Sequence, residues 1–240
     1  MTYSAAWALM LMGRLHEAAR LARTTLDQAQ RHNAAGAQGW AHLVLSFVAI
    51  QQGHWEEAER FAEQAATMAT MMHETNLLAR VSWGRSICAG WQDDWERSVE
   101  LSEEALQIAQ RDGEPSLVYP YILLQTAKAH FFAGKTESAL HYLDQAMLFA
   151  QEHQYRQLPA LGYRLQGRIL QAQGKIAEAE SSFERSLAGL SALDDVVEYA
   201  RTQQAYSLLF HAGNLSGDAE RGAALLQQAN ATFDRLGMNG

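Results

Sequence analysis

An all-α solenoid of six antiparallel helix pairs is the fold that this sequence predicts, on three observations. A short motif recurs, in which a glycine or aspartate turn leads into a helix with small and apolar residues on one face. It begins at Gly13, Gly53, Asp93, Gly134, Gly174 and Gly217, at intervals of 40, 40, 41, 40 and 43 residues. No single globular core imposes such regularity, whereas stacked repeats do. Each turn is also preceded by a second apolar segment of helical period, and strand signals are absent. Finally, small residues recur at fixed offsets from the turns, where two helices must cross closely.

Taken in order, the first helices of the pairs are expected over 3–12, 37–52, 75–91, 116–133, 157–173 and 195–212, and each marked turn opens the second helix. The repeats then run 1–33, 34–73, 74–113, 114–154, 155–193 and 194–240, within one elongated domain spanning 1–240. Asp93-Asp94 and Asp194-Asp195 are cap candidates, and Pro115 and Pro159 fall near first turns. Pro120 is expected to delay or kink the start of its helix. Five residues after each turn stand Ala18, Ala58, Ser98, Ala139, Ala179 and Gly222. Seven before stand Ala6, Ser46, Ser86, Ala127 and Gly167, and twelve after stand Thr25, Ala65, Ala105, Ala146, Ser186 and Ala229. Larger residues such as Leu21, Phe61, Leu101, Tyr142, Phe183 and Leu225 fill the space between crossings.

With 48% hydrophobic residues in 240, the chain can bury a continuous core. A net charge of −8 disfavours direct binding of nucleic acid or of an anionic membrane. The charge is uneven, since residues 1–120 hold nine basic against fifteen acidic side chains and residues 121–240 hold ten against twelve. The lone Cys88 can form no internal disulfide and reads as a small buried hydrophobe. The apolar opening MTYSAAWALMLMG lacks a basic leader and aligns with the later first helices, so it reads as structure. No apolar run approaches the roughly 20 residues that span a bilayer, and a cytoplasmic location is expected.

Ser46, Ala58 and Ala65 about Gly53, with Gly167, Ala179 and Ser186 about Gly174, give this chain its family likeness. It resembles the tetratricopeptide repeat family, whose pattern puts small residues at those places in each repeat. The resemblance covers essentially the whole chain and implies a right-handed superhelix. The period near 40 departs from the usual figure of about 34, and no proline ends the repeat. That longer form resembles the sensor arrays of MalT-like signalling ATPases and LuxR-type bacterial regulators. The likeness implies effector or partner binding without catalysis, in the sensor or scaffold segment of a larger signalling or transcription-regulatory protein.

The residues show no catalytic or cofactor set. Gly134-Lys135-Thr136 resembles the end of a phosphate-binding loop, but Ala129 stands where that loop needs a glycine, and Gly174-Lys175 fills the same repeat position. Neither His16-Glu17 nor His73-Glu74 continues into a zinc-binding helix, so no metal is expected. Glu56-Glu57 and Glu103-Glu104 read as solvated faces, and no G-x-S-x-G elbow occurs.

By the resemblance, first helices line the concave surface, and positions thirteen, ten, six, three and two before the turn face it. That implies Trp7, Trp40, Phe47, Trp83 and Trp91 in the first three repeats as binding residues. In the fourth and fifth it implies Tyr121, Lys128, Phe131, Arg164 and Arg168. The face would pass from aromatic to basic, suiting a peptide, a protein or a small effector with an apolar end and an anionic end. Arg164 and Arg168, one turn apart, are expected to form an anion-recognising patch. The terminal helices carry Trp7, Leu9, Met10, Leu11, Leu225, Leu226, Phe233 and Leu236 with no recognisable polar cap. A neighbour is therefore expected at an end, either the rest of a longer array from which the chain is cut or a second copy of the chain. The expectation is an excised segment that associates weakly through an end, as a homodimer through the terminal helices. Self-association without a ligand groove is the alternative function.

Overall fold

A computed structural model describes residues 2–111, 118–211 and 218–238. Twelve helices are found there: α1 (Thr2–Leu11), α2 (Leu15–Arg31), α3 (Ala35–Gln51), α4 (Trp55–Met71), α5 (Thr75–Trp91) and α6 (Trp95–Gln110). They continue with α7 (Tyr119–Phe132), α8 (Thr136–Glu152), α9 (Leu158–Ala172), α10 (Ile176–Ser191), α11 (Val196–His211) and α12 (Asp218–Leu236). The fold is all-α, with no strand among the described residues. The expected alternation of first and second helices is observed. Pro120 sits in the first turn of α7, where its missing N–H leaves no hydrogen bond unmade. Pro115 and Gly217 lie outside the described residues.

The turns repeat more finely than the sequence motif does. Gly13, Asn33, Gly53, His73 and Asp93 all have φ between 52° and 74°, and Gly134, Gln154, Gly174 and Asp194 continue the series at 78°, 58°, 75° and 53°. Among the described residues, turns within a pair and turns between pairs therefore share one left-handed residue. At each, the following residue's N–H reaches back five positions, as His54 does to the Ala49 carbonyl (2.9 Å) and Glu74 to that of Ala69 (2.8 Å). The turn residue's own N–H reaches back three, as Gly53 does to Ile50 (3.1 Å). These paired bonds close the helix and occupy carbonyls that would otherwise be left over. The residue that completes one helix then opens the next: Asp94 is the N-cap of α6, and its side chain accepts from the Arg97 N–H at 3.2 Å.

Contacts divide the chain into two compact units, Met1–Tyr142 and Leu143–Gly240. In the first, α1, α3 and α5 pack on α2, α4 and α6, and each of those second helices packs on the next first helix. The first helices α1, α3, α5 and α7 also touch in sequence, which makes them the more closely spaced layer of that unit. In the second unit α9 packs on α10 and α11 on α12, while α11 also meets both α9 and α10. The small residues expected at crossings are buried throughout, including Ala6, Ala18, Ala58, Ala105, Ala139, Ala179 and Ala229. Where a hydroxyl replaces a methyl it finds a partner, as Ser46 Oγ donates to the Ala58 carbonyl at 2.9 Å. Cys88 is buried in a cluster with Ala49, Ile50 and Ala58, as expected of a small hydrophobe, and burial pushes its thiol pKa up. No described helix is long and apolar enough to cross a membrane.

Candidate functional site

On the first-helix layer of residues 1–142, aromatic rings connect one helix to the next. Trp7 of α1 meets Phe47 of α3 edge to face at 5.0 Å between centroids, and Phe47 meets Trp83 of α5 at 5.3 Å. Trp83 in turn lies 6.4 Å from Tyr121 of α7, and beside this line Tyr3 stacks on Trp40 at 5.3 Å. Gly84 makes the central contact possible, since a Cβ there would stand 2.8 Å from the Phe47 ring. Phe47 is consequently 5% exposed. It packs one first helix against the next. Trp7, Trp40, Trp83 and Tyr121 are only partly buried and keep surface available.

The sequence reading passed over Arg80, which lies on this layer. Its guanidinium carbon is 5.4 Å from the ring centroids of both Trp7 and Trp40, and its Nε donates to Asn76 Oδ1 at 2.9 Å. Burial pulls its pKa down to about 10. Arg80, Trp83, Ile87 and Trp91 fall at intervals of three and four along α5 and form one stripe of that helix. Further along, Lys128 of α7 places its ammonium 5.6 Å from the Trp91 ring and 5.8 Å from the Trp95 ring. Trp95 stacks on Phe132 at 4.4 Å, and Phe132 meets Phe131 edge to face at 5.0 Å. The expected residues thus fall into two groups: Trp7, Trp40, Trp83 and Tyr121 are joined by ring or cation contacts directly or through Phe47 and Arg80, and Lys128 joins Trp91 to Trp95.

In the second unit the expected anion patch meets an anion of the protein itself. Arg164 Nη1 pairs with Glu198 Oε2 at 2.7 Å, and Arg201 pairs with Glu198 Oε1 at 2.6 Å. Burial opposes ionisation of Glu198, but the two guanidinium groups outweigh it and hold the carboxyl at about 2. Arg164 also lies 3.3 Å from the Glu198 carbonyl. It therefore clamps α9 to α11. Arg168 is half-buried, and that burial lowers its pKa. The underlying signal was a glutamate one repeat further on, which a single-helix pattern of arginines does not reveal.

Two other features escaped the sequence. Glu103, read as solvated, lies 3.0 Å from Nε2 of the buried His130, whose ring stacks on Tyr142 at 5.2 Å. An open depression of about 530 Å³ lies between α8 and α9, lined by Met147, Leu148, Gln151, Tyr155, Pro159 and Tyr163 among others. No group of three or more His, Cys, Asp or Glu placed to hold a metal occurs among the described residues.

No protein-family model and no curated protein matches this chain. Solved structures are similar to it. BtubC (BKLC) from P. vanneervenii is 20% identical over 94% of this chain and 93% of its own, with a TM-score of 0.64. The apo form of RapI is 12% identical over 98% and 82%, with a TM-score of 0.77. A signal-transduction ATPase with numerous domains and a tetratricopeptide repeat sensor, from Pyrococcus horikoshii, is 13% identical with a TM-score of 0.66. This chain is covered over 99% of its length in that match but spans 39% of the larger protein. At these identities the likeness is one of fold, and the fold is tetratricopeptide-like.

Proposed function

We propose that the chain is a non-catalytic interaction module whose first-helix layer in residues 1–142 receives a protein or peptide segment. The observation that carries this reading is the run of half-buried rings Trp7, Trp40, Trp83 and Tyr121 across four successive first helices. Partly buried aromatics offer rigid, amphipathic contact area at small entropic loss, which is why they anchor interfaces. This reading places the chain in the sensor or scaffold part of a larger bacterial signalling or regulatory protein acting in the cytoplasm, and the sensor role is supported by the likeness to the Pyrococcus ATPase with its tetratricopeptide repeat sensor. Selection of a random peptide library on the purified chain tests the reading. Enriched peptides should lose at least tenfold in affinity to the Trp40→Ala chain and bind unchanged when the exposed second-helix residue Glu104 becomes Ala. Equal binding to the Trp40→Ala and parent chains, or no enrichment, rejects it.

Self-association is the second reading, favoured by Leu11 and Met12, 55% and 58% exposed at the end of α1. A homodimer through the terminal helices would bury them. Sedimentation of the parent and of Leu11→Glu over a wide concentration range distinguishes the two, because a dimer by this route dissociates in the variant.

A further inference from the structure

Two half-buried arginines stand on α5, and only one is accompanied by a carboxylate. Arg85 reaches Glu59 at 2.6 Å. Arg80 reaches Asn76 and two indole faces, and no carboxylate pairs with it among the described residues. A guanidinium taken partly out of water needs acceptors for its donors and a compensating charge. Ring faces attract the cation but accept little hydrogen bonding, and Asn76 takes one N–H of five. Four N–H groups on the two terminal nitrogens remain, in the planar fork that matches a carboxylate.

We propose that Arg80, flanked by Trp7 and Trp40, holds the carboxylate of an acidic side chain in a peptide lying across the first helices. The proposal rests on the first-helix reading above and adds the charge that the layer selects. A peptide fits better than a small acid because of length. Neighbouring helix axes lie about 8–10 Å apart, so the layer from α1 to α7 extends roughly 25–30 Å. An extended chain advances about 3.3 Å per residue, so eight or nine residues cover it. The rings beside Arg80 call for apolar residues next to the acidic one. Because the whole chain carries a charge of −8, long-range attraction does not bring an acidic peptide in. The preference is short-range, and a partly desolvated pair is less screened by salt than an exposed one.

The library selection supplies the test. Peptides enriched on the parent chain should share one Glu or Asp flanked by apolar residues, and the same selection on Arg80→Gln should enrich apolar peptides with no acidic position. One enriched sequence, acetylated and amidated so that its termini are uncharged, is then compared with its Glu-to-Gln counterpart by tryptophan fluorescence at about 0.15 M salt. The acidic peptide should bind the parent at least tenfold more tightly. That advantage should vanish in Arg80→Gln and persist in part in Arg80→Lys, with thermal melts showing both variants folded. Equal binding of the two peptides overturns the role of Arg80, while their shared loss in Trp40→Ala would leave the first-helix reading standing. Sodium glutarate at matched ionic strength should leave the emission unchanged. A response that disappears in Arg80→Gln would make the ligand a free carboxylate and overturn the peptide.

Discussion

Ser86 and Ser98 tie α5 to α6 by exchanging hydrogen bonds, each Oγ donating to the other's carbonyl oxygen at 2.9 Å. Their oxygens lie 3.1 Å apart, and Gln125 of α7 brings its Nε2 to 3.2 Å from one and 3.3 Å from the other. All three side chains are buried, so a third helix is bound into a two-helix crossing. Ser98→Ala should cost about 1 kcal/mol, because one bond and one acceptor are lost while Ser86 keeps its own. Ser86→Ala with Ser98→Ala strands the Gln125 amide and should cost about 2–3 kcal/mol. Adding Gln125→Leu should recover part of that loss in urea melts, and three independent, additive effects would show that the network is not cooperative.

The turn residues allow a backbone effect to be isolated. Nothing lies within 4 Å of a Cβ added at Gly134 or Gly174, so neither position is closed by packing. Their φ values of 78° and 75° nevertheless disfavour an L side chain. Gly174→Ala should destabilise by about 1 kcal/mol from conformation alone. His73, at φ 53°, should go the other way. His73→Gly should gain about 0.5 kcal/mol, the relief of its side chain exceeding the entropy lost by glycine. A pair of melts decides whether both signs hold.

Acid should loosen α9 from α11 through Glu198. Its folded carboxyl titrates at about 2 against an ordinary 4.5, so the native state binds fewer protons than the unfolded chain between those values. The contribution is present in full above about 4.5 and is lost as pH falls towards 2. The side chain is 16% exposed, which leaves solvent little share in the effect. A shift of this size corresponds to about 3 kcal/mol. Glu198→Gln should remove that acid dependence and lower stability at neutral pH by roughly 3 kcal/mol, since Arg164 and Arg201 lose the carboxylate they share. Denaturant midpoints from neutral pH down to acid would measure both.

A second pH effect belongs to His42 in α3, 8% exposed, with no partner for its Nδ1 among the described residues. Burial pushes its pKa below the ordinary 6.5. Folding therefore favours the neutral ring, so the contribution is present above 6.5 and declines as pH falls through that value. His42→Leu should flatten the change in melting midpoint between about pH 7.5 and 5.5. An unchanged slope would assign the effect to other groups.

The helix pairs and their crossings were legible because small residues at fixed offsets leave a record that needs no partner to interpret. Ala58 or Ala105 is small in the sequence for the same reason that it is buried in the fold. The turns were half legible. Glycine marked Gly13, Gly53, Gly134 and Gly174, while Asn33, His73 and Gln154 adopt the same backbone without announcing it, so the finer period was hidden. The site was least legible, since it depends on pairs distant in sequence. Arg164 looked available until α11 brought Glu198 against it, and Arg80 looked ordinary until Trp7 and Trp40 were placed on either side. Gly84 likewise gave no sign that it seats Phe47.

The shared turn also limits how such a chain can change its length. Adjacent turn residues such as Gly13, Asn33, Gly53 and His73 stand 20 positions apart with one backbone geometry, so the chain is divided into interchangeable helical segments. Losing one segment would make every later first helix a second helix, and stripes such as the one through Arg80 and Trp83 would turn to the opposite layer. Losing two would preserve every layer and remove a single rung. Duplication and deletion in such an array are therefore tolerated in whole pairs, and a parity rule acts on length much as a reading frame acts on codons.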